Sequence, residues 1–195
     1  MKQNIDRYTG LNVRFGVWEM VENNQVVCCF TGHRPKSLPC GANEEHSACI
    51  EIKRQLKRMI VGLIEKKNVT HFISGAALGV DMWAMEIVLE LKEQYAGITL
   101  EAAVPCATQS VKWNEKYRKK YNRLIENSDE VTCIQREYTS DCMMKRNKYM
   151  VDKSDFVLAV WNGKPSGTGS TIRYAKQRGK TVYCINTVDF TIVAI

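Results

Sequence analysis

The chain has 195 residues, 45% of them hydrophobic and 25% charged, with a formal net charge of +7. That apolar content suffices for one sizeable core, so one globular domain is expected. No apolar run approaches the roughly 20 residues of a membrane helix and the start, MKQNIDRYTG, lacks a secretory apolar block, so a cytoplasmic protein without a membrane partner is expected.

In chain order, Val13, Phe15 and Val17 alternate with polar residues, so the extension 1–25 offers an edge strand. The domain proper, 26–186, starts with the apolar run VVCCF (Val26 to Phe30). A helical stripe of Ile52, Leu56, Met59, Ile60 and Leu63 follows, then HFIS (71–74). A second stripe, Val80, Ala84, Ile87, Val88 and Leu91, leads to LEAAV (100–104), and a third, Tyr117, Tyr121, Leu124 and Ile125, to EVTCI (130–134). DFVLAVW (155–161), a helix containing Ile172 and Ala175, and TVYCI (181–185) complete the alternation. The tail 187–195 carries FTIVAI, a candidate second edge strand. Most of the runs are continuously apolar, as strands buried on both faces are, and they alternate with amphipathic helices. This predicts an α/β fold, a Rossmann-like three-layer αβα sandwich with a mainly parallel central sheet. Apolar termini favour a homodimer.

The eight cysteines include no CxxC pair, and Cys28, Cys29, Cys106, Cys133 and Cys184 lie in or beside apolar runs. They read as small core residues in a reducing compartment. Cys40, Cys49, His33 and His46 fit no zinc ribbon or finger spacing, and neither a metal nor a cofactor is expected. Much of the positive charge lies in KWNEKYRKKYNR (112–123), a solvated helix face or a surface that steers an anionic ligand.

Ligands of such sheets bind beyond the carboxyl ends of the strands. The segments there are FTGHRPKSLPCG after the first strand, SGAALGVD after the second, VPCATQS after the third and NGKPSGTGST after the fifth. Two glycine-rich loops thus run into helix starts, where close backbone approach and unpaired amides suit a phosphate. Ser166, Thr168, Ser170 and Thr171 add hydroxyl donors. The same residues also make ordinary turns and caps. Neither loop has a Gly-Lys-Ser/Thr ending or a GxGxxG pattern, which argues against a P-loop NTPase or an NAD dehydrogenase.

TGHRP, SGAALGVDMWAMEIV, VPCATQSVKWNEKYRKKY, KRNKYMVDKSDFVLAVWNG and PSGTGSTIRYAKQRGK, in this order and spacing, resemble the motifs of the YpsA-like branch of the SLOG superfamily over about Val26 to Asn186. The resemblance implies a Rossmann-like fold that binds a nucleotide or an ADP-ribose-like ligand, with a sensing or regulatory role. It implies a phosphate-and-ribose site built from Gly32 and Arg34, from Ser74, Gly75, Gly79 and Asp81, and from Gly167, Thr168, Gly169 and Ser170. Arg34 would clamp phosphate through its planar fork, and Asp81 would cap its helix or meet ribose hydroxyls. Arg146 and Asn147 would reach the same mouth, with an ion pair from Arg146 to Asp152 or Asp155 as the competing arrangement. Trp83, Trp113 and Trp161 are candidates for stacking a base or for the core.

Two related branches supply alternatives. LOG phosphoribohydrolases resemble PGGxGTxxE, whereas this chain reads PSGTGSTIR from Pro165 to Arg173, with Arg173 at the carboxylate position. Cleavage of an N-glycosidic bond needs a carboxylate, so hydrolysis would have to use another, such as Asp81 or Glu86. The DNA-processing protein A branch makes single-stranded nucleic acid a third candidate partner, through Lys119 and Lys120.

Overall fold

The computed structural model describes residues 25–195; the alternating segment Val13 to Val17 lies outside them. Six parallel strands form the sheet: β1 (Val26–Gly32), β2 (Val69–Ser74), β3 (Thr99–Cys106), β4 (Glu130–Gln135), β5 (Phe156–Trp161) and β6 (Thr181–Asn186). A short β7 (Ile192–Ala194) pairs antiparallel with β6, placing Tyr183 opposite Ala194. The strand order is β4-β3-β2-β1-β5-β6-β7.

Helices α1 (Ser47–Lys67), α2 (Val80–Leu91) and α3 (Glu115–Glu126) cover one face, and α4 (Cys142–Asp152) and α5 (Gly167–Gln177) the other. The apolar stripes read from the sequence are the buried faces of α1, α2 and α3: Ile52, Leu56 and Ile60 are fully buried, as are Ala84 and Val88, while Leu124 and Ile125 anchor the largely polar α3. Local chemistry sets the ends. His46 caps α1 by accepting the Ala48 amide at 3.1 Å, and α1 stops at Asn68 in the left-handed region, φ 54°. Asn114 caps α3 through the Tyr117 amide, and Ser166 caps α5 through the Gly169 amide. The architecture is the expected three-layer αβα sandwich with a mostly parallel central sheet.

The cysteines require one correction. Six remain thiols, five of them buried, but Cys40 and Cys49 are joined by a disulfide between the loop after β1 and the first turn of α1. The turn that follows Pro35–Ser37 brings Cys40 back over α1, so two cysteines nine residues apart meet. Neither is therefore a thiolate ligand, and His46 is occupied as a cap, which disposes of the zinc quartet.

Candidate functional site

Strand order reverses at β1: β2, β3 and β4 lie to one side, β5 and β6 to the other. Since β1 leads to a helix on one face and β5 to a helix on the opposite face, a crevice opens at the carboxyl ends of these two strands. His33, the residue that follows β1, is 3% exposed there. Its Nε2 accepts the Asn162 amide at 3.2 Å, its amide donates to the Val160 carbonyl at 3.3 Å, and its carbonyl accepts the Val80 amide at 3.4 Å. One residue thus ties together the loops after β1 and β5 and the start of α2, the ring through Asn162 and the backbone through Val160 and Val80. With Nε2 accepting, the neutral ring carries its proton on Nδ1.

The glycines beside it are there for packing. A Cβ on Gly32 would stand 2.4 Å from the Val80 Cβ. Gly79 has φ 93°, and a Cβ there would lie 2.6 Å from the His33 carbonyl oxygen. Both let the loop after β1 lie directly on the first turn of α2.

Gly75 has a different reason. Arg146 projects from α4 across the end of β2 to reach Asp81 in the first turn of α2, on the opposite face of the sheet, with Nη1 3.4 Å from the carboxylate. A Cβ on Gly75 would fall 1.2 Å from that Nη1, so the guanidinium occupies the space that only glycine leaves open. Ser74 braces the turn: its hydroxyl donates to the Asp81 carbonyl at 2.9 Å and accepts the Ala76 amide at 3.3 Å. The Asp81 carboxylate also accepts the Ala77 amide.

Burial pushes the Asp81 carboxyl above its ordinary value, against the pull of Arg146, the Ala77 amide and Arg34. Arg34 is exposed; its Nη2 lies 3.9 Å from the Met143 sulfur on α4, and its charge acts on both Asp81 and Arg146. The charges of two guanidinium groups therefore act on one carboxylate, which only Arg146 contacts. Arg146 takes neither Asp152, which binds Arg178 and Tyr174, nor Asp155, which accepts the Val27 amide.

Across the crevice, the Asn147 side chain donates to Thr171 Oγ1 at 2.9 Å, and that hydroxyl donates to the Gly167 carbonyl. Neighbours on α4 thus serve both halves of the site: Arg146 reaches α2 while Asn147 fixes the first turn of α5. Thr168 and Gly169 are buried, and a Cβ on Gly169 would stand 3.0 Å from the Trp161 ring. Gly167 and Ser170 are exposed, and nothing lies within 4 Å of a Cβ built on Gly167. The amides of Gly167 and Thr168 donate to no group among the described residues. Of the glycines expected in the site, Gly167 is the one that no internal contact explains.

Sequence patterns single out neither Gln109 nor the loop-joining role of His33, although both sit in loops after strands. Gln109, 8% exposed, donates through Nε2 to the carbonyls of Gly75 at 3.1 Å and Ala76 at 3.0 Å. Its Oε1 and the Nε of Arg146 are the buried side-chain polar atoms without a partner among the described residues. Both belong to residues that pack on Gly75. The three candidate tryptophans have internal partners: Trp83 is 2% exposed beneath Lys53, Trp113 packs edge-on against Tyr121, and the Trp161 indole donates to the Lys164 carbonyl.

A family model described as the YspA SLOG family (YpsA) matches residues 28–193. A UPF0398 protein of Halalkalibacterium halodurans is 32% identical over 155 residues, covering 78% of this chain and 81% of that protein. The SPbeta prophage-derived protein YoqJ of Bacillus subtilis strain 168 is 32% identical over 140 residues, covering 66% of this chain and 82% of its own. Among solved structures, DNA processing protein A of Helicobacter pylori, described for its single-stranded DNA binding mode, superposes with a TM-score of 0.57 at 19% identity over 82% of this chain and 64% of that one. DNA processing protein A of Streptococcus pneumoniae gives the same TM-score at 18% identity, and there the shared fold spans 50% of the larger chain.

Proposed function

This chain belongs to the YpsA (YspA SLOG) family, and from that premise we propose that the crevice at the carboxyl ends of β1 and β5 binds a nucleotide or nucleotide-derived ligand of the ADP-ribose type, and that the protein acts by binding it. The observation that carries this reading is an exposed Arg34 next to β1 together with Arg146, whose charges both act on the single carboxylate of Asp81, and an α5 start whose first amides are unengaged. A phosphate there would neutralise the excess charge and take up those donors. Asp81, already bonded to Arg146, orients that guanidinium. Exposed Arg34 is the residue free to close on phosphate.

Hydrolysis finds less support. Arg173 is exposed on α5, Asp81 is tied to Arg146, and Glu86, the other carboxylate considered, is paired with Lys120 and Arg123. The same pairs weaken the nucleic-acid reading, since Lys119, Lys120 and Arg123 in the basic block all have acidic partners.

Calorimetry with ADP-ribose, AMP and ADP tests the proposal. Binding by the wild type, weakened about tenfold or more by Arg34→Ala without a change in melting temperature, is the expected result. Absence of binding to all three at millimolar concentration, or an affinity that Arg34→Ala leaves intact, refutes it.

A further inference from the structure

A second constellation lies at the opposite, amino-terminal end of the strands. His71 on β2, Glu101 on β3 and Glu130 on β4 offer ligand atoms that all lie within 4.8 Å of one another. Strand register places them there: His71 faces Thr99, and Glu101 faces Glu130. Glu101 is 3% exposed, deep under α4, whereas Glu130 reaches solvent at the sheet edge.

The hydrogen bonds around this trio determine what it can hold. The Thr99 hydroxyl donates its one proton to the Thr70 carbonyl at 3.2 Å, so toward His71 Nδ1, 2.8 Å away, it accepts. Nδ1 therefore carries a proton, and the neutral ring presents the lone pair of Nε2. That lone pair points at Glu101 Oε2, 3.3 Å away, while Tyr149 holds the other carboxylate oxygen with a 2.8 Å bond. Two electron pairs facing each other in a buried site require a cation between or beside them. A proton on Nε2 would satisfy them in a long contact, since 3.3 Å exceeds the about 2.7–2.9 Å of a well-formed charge-assisted N–H···O bond, as the 3.4 Å contact of Arg146 with Asp81 also does. The same 3.3 Å matches the edge of a tetrahedron whose centre lies about 2.0–2.1 Å from each ligand, the bond lengths of zinc to nitrogen and oxygen.

We propose that His71 Nε2, Glu101 and Glu130 form a binding site for a first-row divalent cation of the zinc type, with water completing its coordination. Imidazole plus two carboxylates suits Zn²⁺ and Co²⁺. Thr99 behind the imidazole and Tyr149 behind the carboxylate fix both ligands in orientation, as the outer partners of metal ligands do. Exposed Glu130 swings in as the third ligand. The ion would clip three adjacent strands and secure the half-exposed edge strand β4.

Chelator-stripped full-length protein should be titrated with ZnCl2 by calorimetry and with CoCl2 by visible absorption. The expected result is one equivalent bound, a rise in melting temperature, and cobalt d–d bands without the near-ultraviolet sulfur-to-cobalt band. His71→Ala should abolish the site. Glu130→Gln, at an exposed position where folding is not at risk, should weaken zinc by about tenfold or more, and Tyr149→Phe by about tenfold. No binding of either metal at millimolar concentration overturns the proposal and leaves an imidazolium–carboxylate pair. A sulfur-to-cobalt band, or an affinity that both His71→Ala and Glu130→Gln leave unchanged, also overturns it by placing the metal on cysteine or elsewhere.

Discussion

Replacing Gly75 with alanine tests the central arrangement, because two physical expectations for this substitution differ in sign. Gly75 is not among the residues with positive φ, so alanine fits its backbone, and reduced freedom of the unfolded chain would stabilise the protein by about 0.4–1 kcal/mol. In the folded protein, however, the new Cβ would lie 1.2 Å from Arg146 Nη1 and 2.7 Å from Asp81 Oδ2. The guanidinium must withdraw, leaving Asp81 and Arg146 buried and apart, and breaking a buried ion pair costs about 3–5 kcal/mol. With an unfolding entropy of about 2.1 cal/mol/K per residue over 195 residues, melting should fall by roughly 7–12 °C. Thermal and urea unfolding of Gly75→Ala, Arg146→Met and the double variant form a cycle that isolates the clash. In the Arg146→Met background the alanine should cost far less, since only the end of the Asp81 side chain still has to shift. A Gly75→Ala protein as stable as wild type, or a cycle that is additive, would refute the placement of Arg146 across the end of β2.

The other predictions concern distinct parts of the molecule. Gly167→Ala meets no atom within 4 Å, so it should leave stability unchanged or raise it by up to about 1 kcal/mol, while lowering nucleotide affinity about tenfold if phosphate approaches that backbone; unchanged affinity in calorimetry removes Gly167 from the site. Burial tends to raise the Glu44 carboxyl, but the hydrogen bond from Lys53 and the charge of Lys120 prevail and bring it down to about 2 from an ordinary 4.5. A lowered acid stabilises the fold above its unfolded value and loses that contribution as pH falls from about 4.5 through about 2. With 36% of its side chain exposed, screening reduces the effect to about 1 kcal/mol, and the acid limb of the wild-type stability profile should be correspondingly steeper than that of Glu44→Gln. Reduction of Cys40–Cys49, separated by nine residues, should cost roughly 3 kcal/mol and about 6–7 °C of melting temperature; a Cys40→Ser, Cys49→Ser variant should melt at the reduced value and ignore dithiothreitol.

The fold was legible because its dominant signal is local. A parallel strand covered on both faces is apolar at most positions, and VVCC, HFIS, LEAAV and FVLAV announce themselves whatever lies beside them. The helices carry their caps in their own sequence, as Ser166 and Asn114 do. The partner of Arg146 was not legible in this way. Asp152 and Asp155 are its near neighbours in sequence, and only the packing of α4 against the end of β2 brings Asp81, 65 residues away, within reach. The disulfide depends similarly on a turn whose path local composition does not specify.

The glycines show where motif reading and structure part company. A glycine after a strand is compatible with a phosphate, but it is equally required wherever two pieces of backbone or a crossing side chain must come close. Gly32, Gly79 and Gly169 make room for Val80, the His33 carbonyl and Trp161, and Gly75 makes room for a guanidinium. These contacts bear on binding indirectly, because each holds in place a group at the rim: His33 joins the loops, Arg146 supplies charge, and α5 keeps its start pointed at the crevice. Substitution at these four positions should therefore impair stability and binding together. At Arg34 and Gly167, which pack on little, binding alone should suffer. That separation distinguishes a scaffold from the surface it presents.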